Sequence, residues 1–327
     1  MSAADASTTP SFAPFAGFWR RIAAFLVDAL LLGLVGHVLG LLLYDTFVGL
    51  GPWGRCVGFG VALAYFVPQE CGAGGQSPGK RLLRIRVVDA QGRALGAGRG
   101  ALRYAIFGVP YFLNGALLPM DVATFAGGFP FAVVAAGGMV ALAYLLAFNR
   151  RTRQSLHDFA VGAFVVRAGA GAPRMPAPVR AWRGHLGVAA VLAALVGASP
   201  LLFPQLMHMP LFANLRALYV RLAAEPGLRG VNVFESVGRV YGTTASGVRR
   251  ELLIQAIVDA PLVDNVPLAT RLAGIALASD PDAAREDLIS VRIARGFDIG
   301  IASSWSTREL ALRPEQWADR VAAGVGQ

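Results

Sequence analysis

Residues 22–43 read IAAFLVDALLLGLVGHVLGLLL, a run that holds one carboxylate, one histidine and no cation. At 1.5 Å rise per residue, a helix of that length crosses the ~30 Å hydrocarbon layer of a bilayer. The run is too long for the apolar core of a signal peptide, and no small-x-small cleavage site follows it. It therefore predicts a retained membrane anchor.

Composition agrees with this reading. The chain has 327 residues, of which 55% are hydrophobic and 15% charged, with two cysteines and a mean hydropathy of +0.53. An intrinsically disordered chain and a disulfide-stapled secreted domain are both excluded by those values. The formal net charge is +10. Residues 1–203 hold 17 Lys+Arg against 7 Asp+Glu, whereas 204–327 hold 13 of each. All the excess positive charge thus lies among the hydrophobic segments, which makes it a sign of membrane sidedness and not of nucleic-acid binding.

Four more apolar stretches follow, at about Trp53–Val67, Leu102–Pro119, Phe129–Phe148 and Leu186–Phe203. The third of the five segments is interrupted by Pro110 and Asn114, and the arginines arbitrate it. Residues 68–103 carry Lys80, Arg81, Arg84, Arg86, Arg93, Arg99 and Arg103, and 149–185 carry seven more arginines, while 44–52 and 120–128 carry no Lys or Arg. Basic short loops stay cytoplasmic. Four spans plus a fifth, with a cytoplasmic N-terminus and an extracytoplasmic C-terminus, satisfy that rule in the inner membrane of a bacterial cell.

The expected architecture is an all-α polytopic membrane bundle followed by a small soluble α+β domain. Its divisions are a transmembrane domain over 1–167, an Ala/Gly/Pro-rich linker with the fifth span over 168–205, and the soluble domain over 206–327. Between the spans, Leu82–Val88 followed by Asp89-Ala90-Gln91-Gly92 reads as a short hairpin. In the last part, Leu211, Leu215, Leu218 and Leu222 recur at helical spacing. Residues 231–241 suggest a strand, and Leu252, Ile254, Ala256 and Val258 alternate. A helix follows, capped by Asp264 or Asn265 with Pro267 in its first turn and Ala269, Leu272, Ala273 and Ala276 on one face. Ile289, Val291 and Ile293 then alternate on one side of Gly296-Phe297-Asp298, and Ile299 and Ile301 on the other. Pro314 opens a terminal helix with Trp317 and Val321. The order α-β-β-α-β-β-α predicts a small antiparallel sheet backed by helices.

Asp28 is the most informative single residue. A carboxylate at mid-depth of a span costs about 2.5–3.5 kcal/mol on insertion scales, so it faces a bundle interior or a wet cavity. Arg21 precedes it by seven positions and returns to nearly the same helix face. The pair reads either as a proton- or cation-handling site or as a charge pair that fixes helix packing. His157-Asp158, beside the Arg150–Arg153 cluster, reads either as a proton relay or as a salt-bridge cluster at the membrane boundary.

Gly74 to Lys80 has the spacing of a phosphate loop. Arg81 stands where that loop needs Ser or Thr, and a membrane span precedes it where a strand is needed, so a nucleotide is not expected. Contact with anionic lipid headgroups is the better use of Lys80, Arg81, Arg84 and Arg86. Gly36-x-x-x-Gly40 and Gly54-x-x-x-Gly58 permit close helix packing within the bundle or between copies in a homo-oligomer. The last part of the chain has one histidine, His208, and no cysteine. It lacks the ligands for a His-based metal site and the base for a Ser-His-Asp triad, so no enzyme activity, metal or cofactor is expected.

Three blocks together resemble the RDD family of bacterial membrane proteins: Phe15–Asp28 (FAGFWRRIAAFLVD), Gly75–Asp89 (GQSPGKRLLRIRVVD) and Arg151–Asp158 (RTRQSLHD). The resemblance covers about residues 15–167 and none of the last 160. It implies a multi-pass domain in which the family's arginine and two aspartates fall on Arg21, Asp28 and Asp158. Some members of that family are linked to sodium/proton antiport or solute transport. Two functions follow as expectations: transport of a solute or cation/proton antiport through Asp28, or a membrane scaffold or sensor whose outer domain binds an envelope protein.

Overall fold

The computed structural model describes residues 15–115, 129–169, 183–199, 201, 209, 212–240, 247–262 and 265–324. The chain divides into two compact units. One comprises Met1–Leu42, Pro52–Leu201 and Ile299–Ala302, and the other Leu43–Gly51, Leu202–Asp298 and Ser303–Gln327. The expected linker falls mostly on 170–182, outside the described residues.

The first unit is built on α1 (Phe18–Leu42), α3 (Gly54–Cys71), α5 (Ala97–Leu113), α6 (Phe129–Phe148) and α8 (Arg183–Gly197). α1 buries Ala24, Asp28, Leu32, Gly36 and Gly40, and leaves Leu26, Leu30, Leu34, Leu41 and Leu42 exposed. Small and charged residues facing in, with leucines facing out, is the pattern of a helix solvated by lipid. α3 repeats the four-residue ladder with Gly54, Gly58, Ala62, Phe66 and Glu70 buried. Both Gly-x-x-x-Gly pairs therefore lie on buried faces.

Three helices among the described residues are long and apolar enough to cross a membrane: Phe18–Leu42, Tyr44–Cys71 and Phe129–Phe148. The last contains a π-helical stretch at Val133–Gly137. Two of the five expected spans are shorter. α5 has 17 residues with Pro110 inside it, and α8 has 15. The rest of the third expected span lies at 116–119, outside the described residues.

Short segments between the helices form a small cap. α4 (Pro78–Leu82) packs on α1, and α7 (Leu156–Val161) packs on α5. The first region is not purely helical, because β1 (Ile85–Val88) pairs antiparallel with β2 (Phe164–Arg167). The hairpin expected from 82–95 does not form. Asp89 does close a turn, accepting from the backbone N–H groups of Gln91 and Arg93, but the chain then enters α5 before a second strand can begin. Phe15 forms a bridge to Val166, and Ala16, Ile85, Val87, Leu95, Val161, Ala163 and Val165 make a common apolar core. The cap thus joins the N-terminal boundary, the 72–96 loop and the segment after α6.

The second unit holds α9 (Ala213–Ala223), β3 (Leu228–Val240), β4 (Gly247–Val258), α10 (Val266–Ser279), β5 (Leu288–Asp298), β6 (Ser303–Leu312) and α11 (Pro314–Gly324). The expected order of elements is the one observed. The sheet is mixed, with order β3-β4-β5-β6 and a parallel central pair, Leu252 opposite Ile289 and Ile254 opposite Val291. A parallel pair requires a crossover, which α10 supplies. The last hairpin also differs from expectation: β5 runs through Gly296-Phe297-Asp298, and the turn is Ile299–Ala302, where Gly300 takes φ +79°. β6 is exposed along most of its length, so it shows no alternation that would have marked it as a strand.

Leu218, Leu222, Leu252, Ile254, Leu272, Ile289, Ile293 and Trp317 fill the core of this unit, and Trp317 Nε1 donates to the Ile289 carbonyl at 2.8 Å. Truncating such a buried tryptophan costs about 3–5 kcal/mol. The connection 43–51 is part of this unit through α2 (Tyr44–Leu50). Phe47 and Val48 are buried, Tyr44 and Phe47 meet the ring of Phe297, and Asp45 pairs with Arg295 at 2.7 Å.

Candidate functional site

Six charges, four of them buried and Arg21 and Lys80 half-buried, alternate in sign along one connected path. Arg21 Nη2 lies 2.6 Å from Asp158 Oδ2, and Asp158 Oδ1 lies 2.7 Å from Arg103 Nη2. Arg103 Nη1 continues to Glu70 Oε2 at 2.5 Å, Glu70 Oε1 to Lys80 Nζ at 2.7 Å, and Lys80 Nζ to Asp28 Oδ2 at 4.0 Å. Three cations meet three carboxylates, so the path is neutral as a whole. Each buried ion costs several kcal/mol to desolvate, and only this mutual pairing offsets the cost.

Each end is held by local structure. Asp158 is the third residue of α7 and closes a capping box with Ser155, accepting from its backbone N–H at 3.2 Å. Arg21 also donates to the Arg153 carbonyl, and Arg99 to the carbonyl of Val161 at the other end of α7. At the opposite end, Asp28 accepts from Tyr65 Oη (2.9 Å), Ser77 Oγ (2.5 Å) and the Gly79 backbone N–H (2.8 Å). A side chain at Gly79 would place Cβ 2.1 Å from the Ala24 carbonyl oxygen, so only glycine lets α4 come this close to α1.

Residues 15–162 match the model of the RDD family. No curated protein and no solved structure matches the chain.

Within the RDD region, Arg21, Asp28 and Asp158 belong to one network, but Arg21 pairs with Asp158 and not with Asp28. The loop that imitates a phosphate site uses its Gly79 N–H on the Asp28 carboxylate and its Lys80 on Glu70, so an internal carboxylate takes the anion's place. Lys80 therefore points inward, while Arg81 and Arg84 are exposed and Arg86 is half-buried. Glu70, which the sequence did not single out, and Arg103, which counted there only among the basic residues of 68–103, complete the path. Their signal was the ladder Gly54-Gly58-Ala62-Phe66-Glu70, and an arginine just inside an apolar run.

A half-open pocket of about 280 Å³ borders the path. Arg21, Glu70, Lys80, Arg103 and His157 line it on the polar side, and Phe25, Phe107, Met139, Leu142 and Leu146 on the apolar side. Among the described residues, no group of His, Cys, Asp and Glu is placed to hold a metal ion.

Burial is the largest influence on His157 and pushes its pKa down against the pull of Asp158, with Arg103 and Arg21 adding to the fall. Burial pushes the Asp158 carboxyl up, but Arg21, His157 and Arg103 outweigh it and hold it well below the usual carboxylate range. The imidazole is thus neutral at pH 7. Its Nε2, 3.2 Å from Asp158 Oδ1, carries the proton that is donated to the carboxylate.

Unfolding releases His157 to its ordinary value near 6.5. Below that pH the unfolded chain then binds up to one more proton than the folded one, so stability falls as pH drops through about 6.5 and levels off below the depressed folded value. Thermal melts of the detergent-solubilised protein between pH 8 and 5 are expected to show this loss. His157→Gln, which keeps a donor toward Asp158, is expected to remove it, and an unchanged slope in that variant would contradict the assignment.

Proposed function

We propose that the protein is a multi-pass inner-membrane, non-enzymatic scaffold or sensor, in which the RDD region anchors the chain and presents the second unit outside the cytoplasm to an envelope protein. The observation that carries this reading is the place of residues 43–51. That Lys- and Arg-free connection between the first two spans packs as part of the second unit, which supports a common side of the membrane for the two. The complementary observation is the cap, where three segments from the arginine-rich side share one core. By the positive-inside rule the cap is cytoplasmic and the second unit is not.

Arg81 and Arg84, exposed beside Leu82, suit contact with anionic headgroups at the cytoplasmic face, worth about 1 kcal/mol each. The balanced charge and single histidine of residues 204–327 suit binding better than catalysis.

Protease added to intact spheroplasts is expected to cut the second unit and to spare an N-terminal tag. A protected second unit would contradict the proposal.

A second reading, solute transport or cation/proton antiport, is favoured by the cavity beside the charge path. Asp28 itself gives that reading little support, since three donors and Lys80 already surround its two oxygens. Asp28→Asn is accordingly expected to lower stability while leaving sodium and proton flux in vesicles no different from that of protein-free vesicles or of the parent. A parent flux abolished by this substitution in a folded protein would restore the antiport reading.

A further inference from the structure

We propose that the half-open pocket in the RDD region holds one acyl chain of an anionic phospholipid, whose phosphate lies on Arg81 and Arg84 at the rim. This assignment rests on the placement of the cap at the cytoplasmic boundary, and it names the lipid and its seat. The first observation is the wall. Ile22 and Phe25 of α1, Phe107 of α5, and Met139, Ala143 and Leu146 of α6 line the pocket, and each is half-buried or exposed, so a guest can touch them. Both α1 and α6 are long and apolar enough to cross the membrane. Ala143, exposed on α6, puts the open side toward the hydrocarbon. A volume of about 280 Å³ holds about nine water-sized groups at ~30 Å³ each, which is a stretch of one chain and not a whole lipid.

The second observation is depth. Trp19, 79% exposed at the start of α1, is of the residue type that sits at headgroup level. Ile22 and Phe25 follow about 4.5 and 9 Å further along the helix, so the pocket begins where acyl chains begin.

The third observation is charge. Arg21, Glu70, Lys80 and Arg103 line the polar end, and all four are paired within the charge path. A charged head inside would find no free counter-ion, whereas a hydrocarbon tail brings no charge. The head therefore stays at the rim. Lys80 and Ile85 both line the pocket, and between them Arg81 and Arg84 are exposed and have no ion partner among the described residues. Leu82, 69% exposed, lies between those two arginines. Two unpaired cations around an apolar residue, beside a slot the width of a chain, match a phosphate with acyl chains attached.

The test is photolabelling of the full-length protein in phosphatidylcholine nanodiscs, with the labelled residues read by mass spectrometry. Two probes carry the same diazirine-bearing acyl chain, one on anionic phosphatidylglycerol and one on zwitterionic phosphatidylcholine. The anionic probe is expected to label Phe107, Met139 and Leu146 several times more strongly than Leu26 and Leu30, which are exposed on α1 at and just beyond the depth of Phe25. It is also expected to label those pocket residues about ten- to thirtyfold more than the zwitterionic probe does, the worth of headgroup contact with two arginines. Arg81→Gln together with Arg84→Gln is expected to bring the two probes within about twofold of each other. Ala143→Trp, which fills the pocket, is expected to reduce labelling of Phe107 and Met139 to the level of Leu26. Labelling spread evenly over the lipid-facing residues, equal labelling by the two probes in the parent protein, or pocket labelling that survives Ala143→Trp would each overturn the proposal. The first two outcomes are read on the parent protein and decide the matter even if a variant fails to fold. Neither depends on which side of the membrane the cap occupies, so failure here is distinguishable from failure of the protease experiment.

Discussion

The alternating path Arg21–Asp158–Arg103–Glu70–Lys80–Asp28 is the constraint on which the RDD region depends. Its members come from α1, α3, α4, α5 and α7, so no element can leave without stranding a buried charge. The cost of stranding one is about 3–5 kcal/mol, comparable with the net stability of many domains. Local devices surround the path for the same reason. The capping box of Ser155 and Asp158, the Gly79 N–H on Asp28 and the Arg99 contact to the end of α7 each satisfy a polar group that the path leaves buried.

The path also explains why short, polar segments can be ordered beside apolar helices. α4 has five residues and α7 has six, too few to be stable helices in isolation. Each is fixed by its carboxylate contact, and the β1–β2 pair with Phe15 then closes the cap over them. At the other end of α1, the 43–51 connection is held by different forces, the rings of Phe47 and Phe297 and the Asp45–Arg295 pair.

Much of this was legible in the sequence, and the exceptions share a cause. Length and hydropathy alone locate α1 and α6, and periodicity gives the order of elements from Leu218 to Trp317. Arg21, Asp28 and Asp158 stand out because charges in or near apolar runs are costly. What escaped was pairing between distant segments. Ile85–Val88 looked like half of a local hairpin, yet its partner is Phe164–Arg167, because strand register is decided by tertiary packing. The parallel β4–β5 pair was implied by the intervening helix, and the alternation of Leu252–Val258 and Ile289–Ile293 is the same for either orientation. Glu70 and Arg103 were hidden because a boundary charge and a buried one look alike until the opposite ion is placed.

The most direct measurement is a double-mutant cycle on Glu70→Gln and Arg103→Gln, read as reversible unfolding free energy in mixed micelles. If the six charges act as one compensated unit, each single substitution is strongly destabilising, and the double variant is less destabilised than their sum by at least about 1 kcal/mol. Effects that add within about 0.5 kcal/mol would show that the pairs are independent surface-like contacts and would contradict the account.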